Sequence, residues 1–207
     1  MKEKRDSKET GQKKSGPLMI IVSAPSGGGK TTIVNDLVKN LSGIKRSVSY
    51  TTRKPRKGEK DGEDYIFVCE EEFRERIGKD EFLEWERNFG NYYGTSKKQV
   101  NDMLSRGDDV VLSIDIKGAR QVRKKYPESV SVFIMPPSIE ELALRLEKRN
   151  TEEGRQMAVR VKESRHEMES ADEYDYLLVN AELDKATGGL RDIVKIEREN
   201  RQFKIKR

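Results

Sequence analysis

Ser23 to Thr32, SAPSGGGKTT, is the stretch whose residue types and spacing point most directly to chemistry. Three glycines, Gly27, Gly28 and Gly29, precede Lys30, Thr31 and Thr32. The apolar run LMIIV at 18–22 leads in. An amphipathic run with Ile33, Val34, Leu37, Val38 and Leu41 leads out. By period the first is a buried strand and the second a helix. Strand, glycine-rich loop and helix, in that order, make a phosphate-binding loop. Glycines let backbone N–H groups turn inward with no Cβ in the way. The helix N-terminus adds unpaired N–H groups and a partial positive charge. Lys30 brings a mobile charge for the outer phosphates, and Thr31 a hydroxyl for Mg²⁺. Ala24 replaces the first glycine of the common pattern, so it must avoid positive φ. The competing reading, a glycine-rich turn with an incidental lysine, does not account for the strand, loop and helix agreeing.

Four further groups could join this loop. Asp115 ends the apolar run 110–114, as an acid that holds Mg²⁺ does; the alternative is a helix cap. Arg53 and Arg56 flank a proline bend and could grip a phosphate bidentately, though basic loops are usually only solvated. Tyr65 and Tyr93 could add phenolic donors there. Glu84 lies between Leu83 and Trp85, and strand alternation puts it on the face opposite both. It is either a solvated residue or the lining of a polar pocket. The charged stretch 149–168 carries Arg149, Arg155, Arg160 and Arg165. It reads as a solvated helix pair or, beside a phosphate loop, as a mobile cover with arginine clamps.

The elements that must position these groups follow in order. Ser42-Gly43 closes the first helix. Residues 44–50 alternate as one strand, and Asp61-Gly62 marks a turn. Strands are expected at 65–69, 82–86 and 91–95, with a short helix at 70–77. Ser96 caps a helix closed by Gly107. Strands at 110–115, 130–135 and 176–179 alternate with helices from Gly118, from Ser138 (a capping box) and from about Leu183, the last weakened by Gly188-Gly189. The predicted fold is α/β: a parallel sheet flanked by helices behind the phosphate-binding loop, with an inserted β-rich lobe and a helical lid. The expected division is a disordered basic tail at 1–16, a core at 17–47, 97–148 and 169–207, a lobe at 48–96 and a lid at 149–168. Ligands of such sheets bind at the carboxyl ends of the strands, where the loop and Asp115 meet.

Composition narrows the classes. Charged residues make up 38% of the 207 and apolar ones 33%, so the core is modest and the surface heavily solvated. The net charge is +5, of which the first sixteen residues carry +3. A nearly balanced body suits a small anionic ligand better than nucleic acid, which calls for a stronger basic stripe. One cysteine, Cys69, excludes an internal disulfide, and one histidine, His166, excludes a histidine metal cluster. Cys69 reads as a packed or half-exposed strand residue. No apolar run approaches the ~18 residues of a membrane span. The expected setting is reducing and cytoplasmic, with no membrane partner.

With these motifs in view, the chain resembles the guanylate kinases, P-loop enzymes that make GDP from GMP and ATP. The resemblance runs from about Leu18 to the final helix. It rests on SAPSGGGKTT, SVSYTTRKPRKGE, GEDYIF, FLEW, GNYYGTS, IDIKGA, PPSIEEL, RNTE and LLVN. It implies ATP with Mg²⁺ on Ala24, Pro25, Ser26, Gly27, Gly28, Gly29, Lys30, Thr31 and Thr32, with Asn180 by the adenine. It implies a GMP phosphate held by Arg53, Arg56, Tyr65 and Tyr93, and a guanine read by Ser49, Glu84 and Thr95. Lys30, Arg53, Arg149 and Arg160 would attend the transferred phosphoryl group, and Thr31 and Asp115 the metal. Ser113 and Ala181 depart from the family's usual acids. The implied partners are ATP and GMP, for a monomer or a homo-oligomer. Two rivals are a related sugar-phosphate kinase, which would not need Glu84 and Thr95, and a catalytically dead binding module, which tends to lose Lys30 and the lid arginines.

Overall fold

The computed structural model describes residues 16–148 and 154–203, without the side chains of 148, 154–160, 202 and 203. The expected tail, apart from Gly16, and the first residues of the expected lid lie outside that description.

Three apolar runs become β1 (Met19–Ser23), β7 (Asp109–Ser113) and β8 (Val130–Met135), almost wholly buried. With β2 (Ile44–Arg46) and β9 (Tyr176–Val179) they form a five-stranded sheet, ordered β2-β7-β1-β8-β9, with every pairing parallel. Parallel sheets are buried on both faces, and β1 shows how. Leu18, Ile20 and Val22 pack with Ile33, Val34 and Leu37 of α1 (Lys30–Asn40) and with Ala186, Leu190 and Val194 of α7 (Leu183–Phe203). Met19 and Ile21 face the other way. They meet Val100 of α3 (Lys97–Ser105) and Ala119 and Val122 of α4 (Ile116–Lys125). Capping follows expectation: Ser96 Oγ accepts the Gln99 N–H, and Ser138 Oγ accepts the Glu141 N–H at the start of α5 (Ile139–Lys148).

A second sheet, β4-β3-β6-β5, lies within residues 50–96. It comprises β3 (Tyr50–Thr51), β4 (Ile66–Phe67), β5 (Phe82–Asn88) and β6 (Asn91–Ser96). Phe73 of α2 (Glu70–Gly78) is fully buried beneath it, stacked on Phe82 at 4.4 Å and Tyr92 at 5.2 Å. Helix α6 (Gly154–Glu169) and a short 3-10 turn lead to β9.

Three expectations need correction. Residues 44–50 are not one strand. Arg46 pairs with Val111 in the first sheet and Tyr50 with Gly94 in the second, so the chain changes sheets between them. Cys69 is no strand residue: it is exposed, and its Sγ caps α2 by accepting the Glu72 N–H at 3.4 Å. Simple alternation fails in β5, where a register shift between Phe82 and Glu84 leaves Phe82, Leu83 and Glu84 all buried. The expected final helix, α7, starts at Leu183 and runs unbroken through Gly188-Gly189. A Cβ on Gly189 would lie 2.7 Å from Leu178 Cδ1, so glycine lets the helix approach β9 closely.

The two glycines therefore differ. A Cβ on Gly188 meets only the Arg191 guanidinium, at 3.9 Å. Gly188→Ala is expected to stabilise the fold by about 0.5–1 kcal/mol through helix propensity. Gly189→Ala must displace Leu178 and should be the less stable of the pair. Urea denaturation of both variants checks the order, and equal stabilisation would refute the close-approach argument.

Candidate functional site

The loop between β1 and α1 follows the sequence expectation in its backbone. Gly27 and Gly29 adopt φ of +88° and +91°, which only glycine takes without strain, while Ala24 does not. The Gly28 N–H returns to the Pro25 carbonyl at 2.9 Å. Gly29 precedes α1 without any side-chain cap, so the helix start stays open to an anion.

This loop forms one wall of a cleft of about 1010 Å³ at the carboxyl ends of β1 and β7. Ala24 to Thr31 line it, and Thr32, at the exposed start of α1, does not. The Lys30 Nζ donates to the Ile114 carbonyl at 2.8 Å. Burial lowers the pKa of this ammonium, against the pull of Asp115, Glu167 and Glu84. Asp115 lies two residues beyond β7. It caps α4, its Oδ1 accepting the Gly118 N–H at 2.8 Å, and it also lines the cleft. A carboxylate has about four acceptor sites, so capping does not exhaust it. With the Thr31 hydroxyl it offers two hard oxygen donors, the kind Mg²⁺ takes. Among the described residues no group of three or more His, Cys, Asp or Glu is placed to hold a metal ion.

The second sheet supplies the facing residues. Arg53, Arg56, Tyr65, Tyr93, Ser49 and Glu84 all line the same cleft. Arg53 is already engaged: its two terminal nitrogens donate to Glu59 at 2.8 and 2.9 Å, and its guanidinium lies 5.2 Å from the Tyr65 ring centre. Glu59 Oε2 also accepts the Arg56 N–H at 2.7 Å. Burial alone would raise the Glu59 carboxyl, but these bonds outweigh it and hold the pKa below its ordinary value. Glu84 is 4% exposed and accepts the Thr95 hydroxyl at 2.5 Å. Burial pushes its pKa up to about 7; Asp115 and Glu86 add to the rise, and Thr95 and Lys30 oppose it. Thr95 is fully buried behind Glu84 and is not part of the cleft wall.

Asn180 is placed behind the loop. Its amide is buried and donates to the Gly28 carbonyl at 2.9 Å. Arg149 and the side chain of Arg160 lie outside the described residues. Sequence reasoning missed several wall residues. Lys54 and Lys57 belong to the basic loop already noted. Asn88, Phe89 and Asn91 form a hairpin tip whose Phe89 has φ +47°, without the Asn-Gly signature that announces such a turn. Glu167, one acid in a charged stretch, carried no signal, yet its carboxylate accepts the Ser26 N–H at 3.2 Å.

A family model described as guanylate kinase matches residues 17–197. The chain belongs to the guanylate kinase family. It is 45% identical over 186 residues to a guanylate kinase of Caldanaerobacter subterraneus, covering 90% of each chain. It is 48% identical over 176 residues to one of Neisseria gonorrhoeae, covering 85% of this chain and 86% of that one. Among solved structures it is similar to the guanylate kinase of Anaplasma phagocytophilum, with a TM-score of 0.74 and 35% identity over 89% and 88% of the two chains. These matches bear out the expected P-loop kinase fold. Of Ser113 and Ala181, only Ser113 lines the cleft.

Glu84 couples this site to pH. In the unfolded chain its carboxyl ionises near its ordinary value of 4.5, in the fold near 7. The fold therefore binds the proton more tightly, and its stability falls as pH rises through that window. Below it Glu84 is neutral in both states and costs nothing; above it the buried charge costs roughly 3 kcal/mol. Glu84→Gln is expected to gain stability relative to wild type between pH 5 and pH 8. Thermal melts of both proteins without nucleotide check this. A constant difference would show Glu84 ionised throughout.

Proposed function

We propose that the chain transfers the terminal phosphoryl group of ATP to GMP, giving ADP and GDP. The observation that carries this reading is a single cleft lined on one side by the Lys30 loop and on the other by Arg53, Arg56, Tyr65, Tyr93 and Glu84. A triphosphate suits the loop's inward N–H groups and the Lys30 charge. The facing arginines and tyrosines suit a monophosphate. Glu84 suits guanine, which presents a ring N–H and an exocyclic amine side by side to the two acceptors of a carboxylate. Ser49 joins this contact, and Thr95 holds the carboxylate in place from behind.

In this reading 17–47, 97–148 and 169–207 form the ATP-binding core, 48–96 the GMP-binding lobe and 149–168 the lid. The GMP phosphate is already anionic at neutral pH and needs no general base. His166 is exposed beside Glu169, outside the cleft. Catalysis rests on aligning the two phosphates and neutralising charge. Lys30 and Arg53 act on the phosphoryl group, joined by Arg149 and Arg160 as the lid covers the site and excludes water. Bound with ATP between Thr31 and Asp115, Mg²⁺ would supply further positive charge to the phosphates. Asn180 supports the loop and, in the family's arrangement, lies by the adenine. No helix of the described residues is long and apolar enough to cross a membrane. A cytoplasmic setting, with neither nucleic-acid nor membrane partner, is part of the same reading.

ADP release from ATP should depend on added GMP, and Lys30→Met should lower kcat by two orders of magnitude or more, about 3–4 kcal/mol of lost charge stabilisation. Near-normal turnover in that variant would refute the loop assignment. Specificity gives a second check. Adenine presents an acceptor where guanine presents its ring N–H, and a buried mismatch of this kind supports discrimination of about 10⁴-fold. Glu84→Gln should reduce the GMP-to-AMP ratio of kcat/KM sharply, with AMP turnover flat or rising. An unchanged ratio would move the guanine reader elsewhere.

A further inference from the structure

Glu167 takes no part in the mechanism just described, yet it sits in the donor half of the cleft. It lies in the last turn of α6, 141 residues from the loop, and its Oε2 accepts the backbone N–H of Ser26 at 3.2 Å. The side chain lines the same cleft as Gly27, Gly28, Gly29 and Lys30. It is one of three carboxylates, with Asp115 and Glu84, whose charge acts on the Lys30 ammonium. Glu163 and Asp115 repel it, Lys30 attracts it, and burial raises its pKa. A half-buried carboxylate with unfavourable acidic neighbours is held here by what the loop offers any anion: an N–H donor and a nearby cation.

The ligand of this loop is itself a polyanion. Phosphate oxygens and the Glu167 carboxylate compete for the same donor, and with both present the negative charges repel at short range. We propose that Glu167 is an internal stand-in for the donor phosphate, a positioning residue that occupies the loop in the empty protein and is displaced when nucleotide enters. Two consequences follow. Displacing the carboxylate weakens donor-nucleotide affinity and shortens retention of the ADP product. The same displacement releases the C-terminal turn of α6 from the loop, so filling the loop and freeing that helix are one event. The inference rests on the reading of the loop as the donor-phosphate site.

The test uses the full chain and the variants Glu167→Gln and Glu167→Ala, each checked by thermal melt. The Gln amide keeps an oxygen for the Ser26 N–H and removes only the charge, which separates the proposal from a purely structural role. Calorimetry measures the Kd of ADP and of inorganic tripolyphosphate, both without Mg²⁺ so that metal ligation plays no part. Both ligands should bind three- to tenfold more tightly to either variant, the KM for ATP should fall in parallel, and the Kd of GMP should move less than twofold. A structural prop would instead loosen donor and acceptor binding together. Unchanged or weaker tripolyphosphate binding to Glu167→Gln overturns the proposal. Lys30→Met serves as the control. If it too leaves tripolyphosphate binding untouched, the loop is not the donor site. If it weakens binding while Glu167→Gln fails to tighten it, the loop reading stands and the stand-in role falls.

Discussion

A loop that turns its N–H groups toward a ligand must turn carbonyls back into the protein, and a buried carbonyl without a donor is costly. Asn180 resolves this conflict. Its side-chain amide donates to the Gly28 carbonyl, and its own backbone is held in turn: the N–H by the Met135 carbonyl at 2.7 Å, the carbonyl by Arg145 at 3.2 Å. Gly29 lies so close that a Cβ there would come within 2.3 Å of the Asn180 amide nitrogen. The ends of β8, β9 and α5 thus converge behind a loop formed more than a hundred residues earlier. The parallel sheet makes this possible, because all its strands finish at the same edge.

Charge in the cleft obeys a second constraint. Its two less exposed cations both face carboxylates: Lys30 faces Asp115, Glu167 and Glu84, and Arg53 grips Glu59, while Lys54, Arg56 and Lys57 are exposed. Burying an unpaired charge is expensive, so a site built for phosphates needs internal anions while it is empty. Glu59 and Glu167 hold the two halves of the cleft in this way, one on an arginine of the second sheet and one on the loop. Glu84 differs. Among the described contacts it has no cation in direct contact, its support is a hydroxyl, and unlike that of Glu59 its pKa rises. Burial favours the neutral form of such a carboxyl, and hydrogen-bond donors brought to it favour the charged one.

Contiguity decided what could be read from sequence. The β1, loop and α1 unit is one uninterrupted stretch with two clear periods, and Val130–Met135 and Tyr176–Val179 are apolar runs bounded by breakers. Such units carry their signal locally. The break between Arg46 and Tyr50 does not, because both sides alternate alike and only their partners, Val111 and Gly94, assign them to different sheets. The bulge before Glu84 is likewise a matter of register with β6. Helix α7 survives two glycines because packing on β9 rewards a close approach that propensity does not register. Residues of the cleft known by type, such as Lys30, Arg53 and Asp115, were legible; Glu167 was not, since only the fold distinguishes it from neighbouring acids.

Helix α4 joins the two halves of the cleft. Asp115 caps its first turn, and the helix grips β5 further along: the Gln121 amide donates to the Trp85 carbonyl at 3.0 Å and to Glu86 at 2.6 Å, and Lys125, its last residue, donates to the Leu83 carbonyl at 2.6 Å. Gly118 has no Cβ where Glu84 Oε2 would lie only 2.5 Å from one. Leu83, the neighbour of Glu84, packs into the core against the first sheet. The register shift in β5 lets these adjacent residues face opposite tasks, one in the core and one in the cleft. Glu84 is therefore positioned by the same helix that positions Asp115. The arginine loop at 53–59 makes no comparable bond to α4 among the described contacts, and holds its shape through Glu59. On the proposed reading, the base end of the acceptor site is tied through α4 to the first sheet, and any adjustment that brings the two phosphates together would fall on the arginine end.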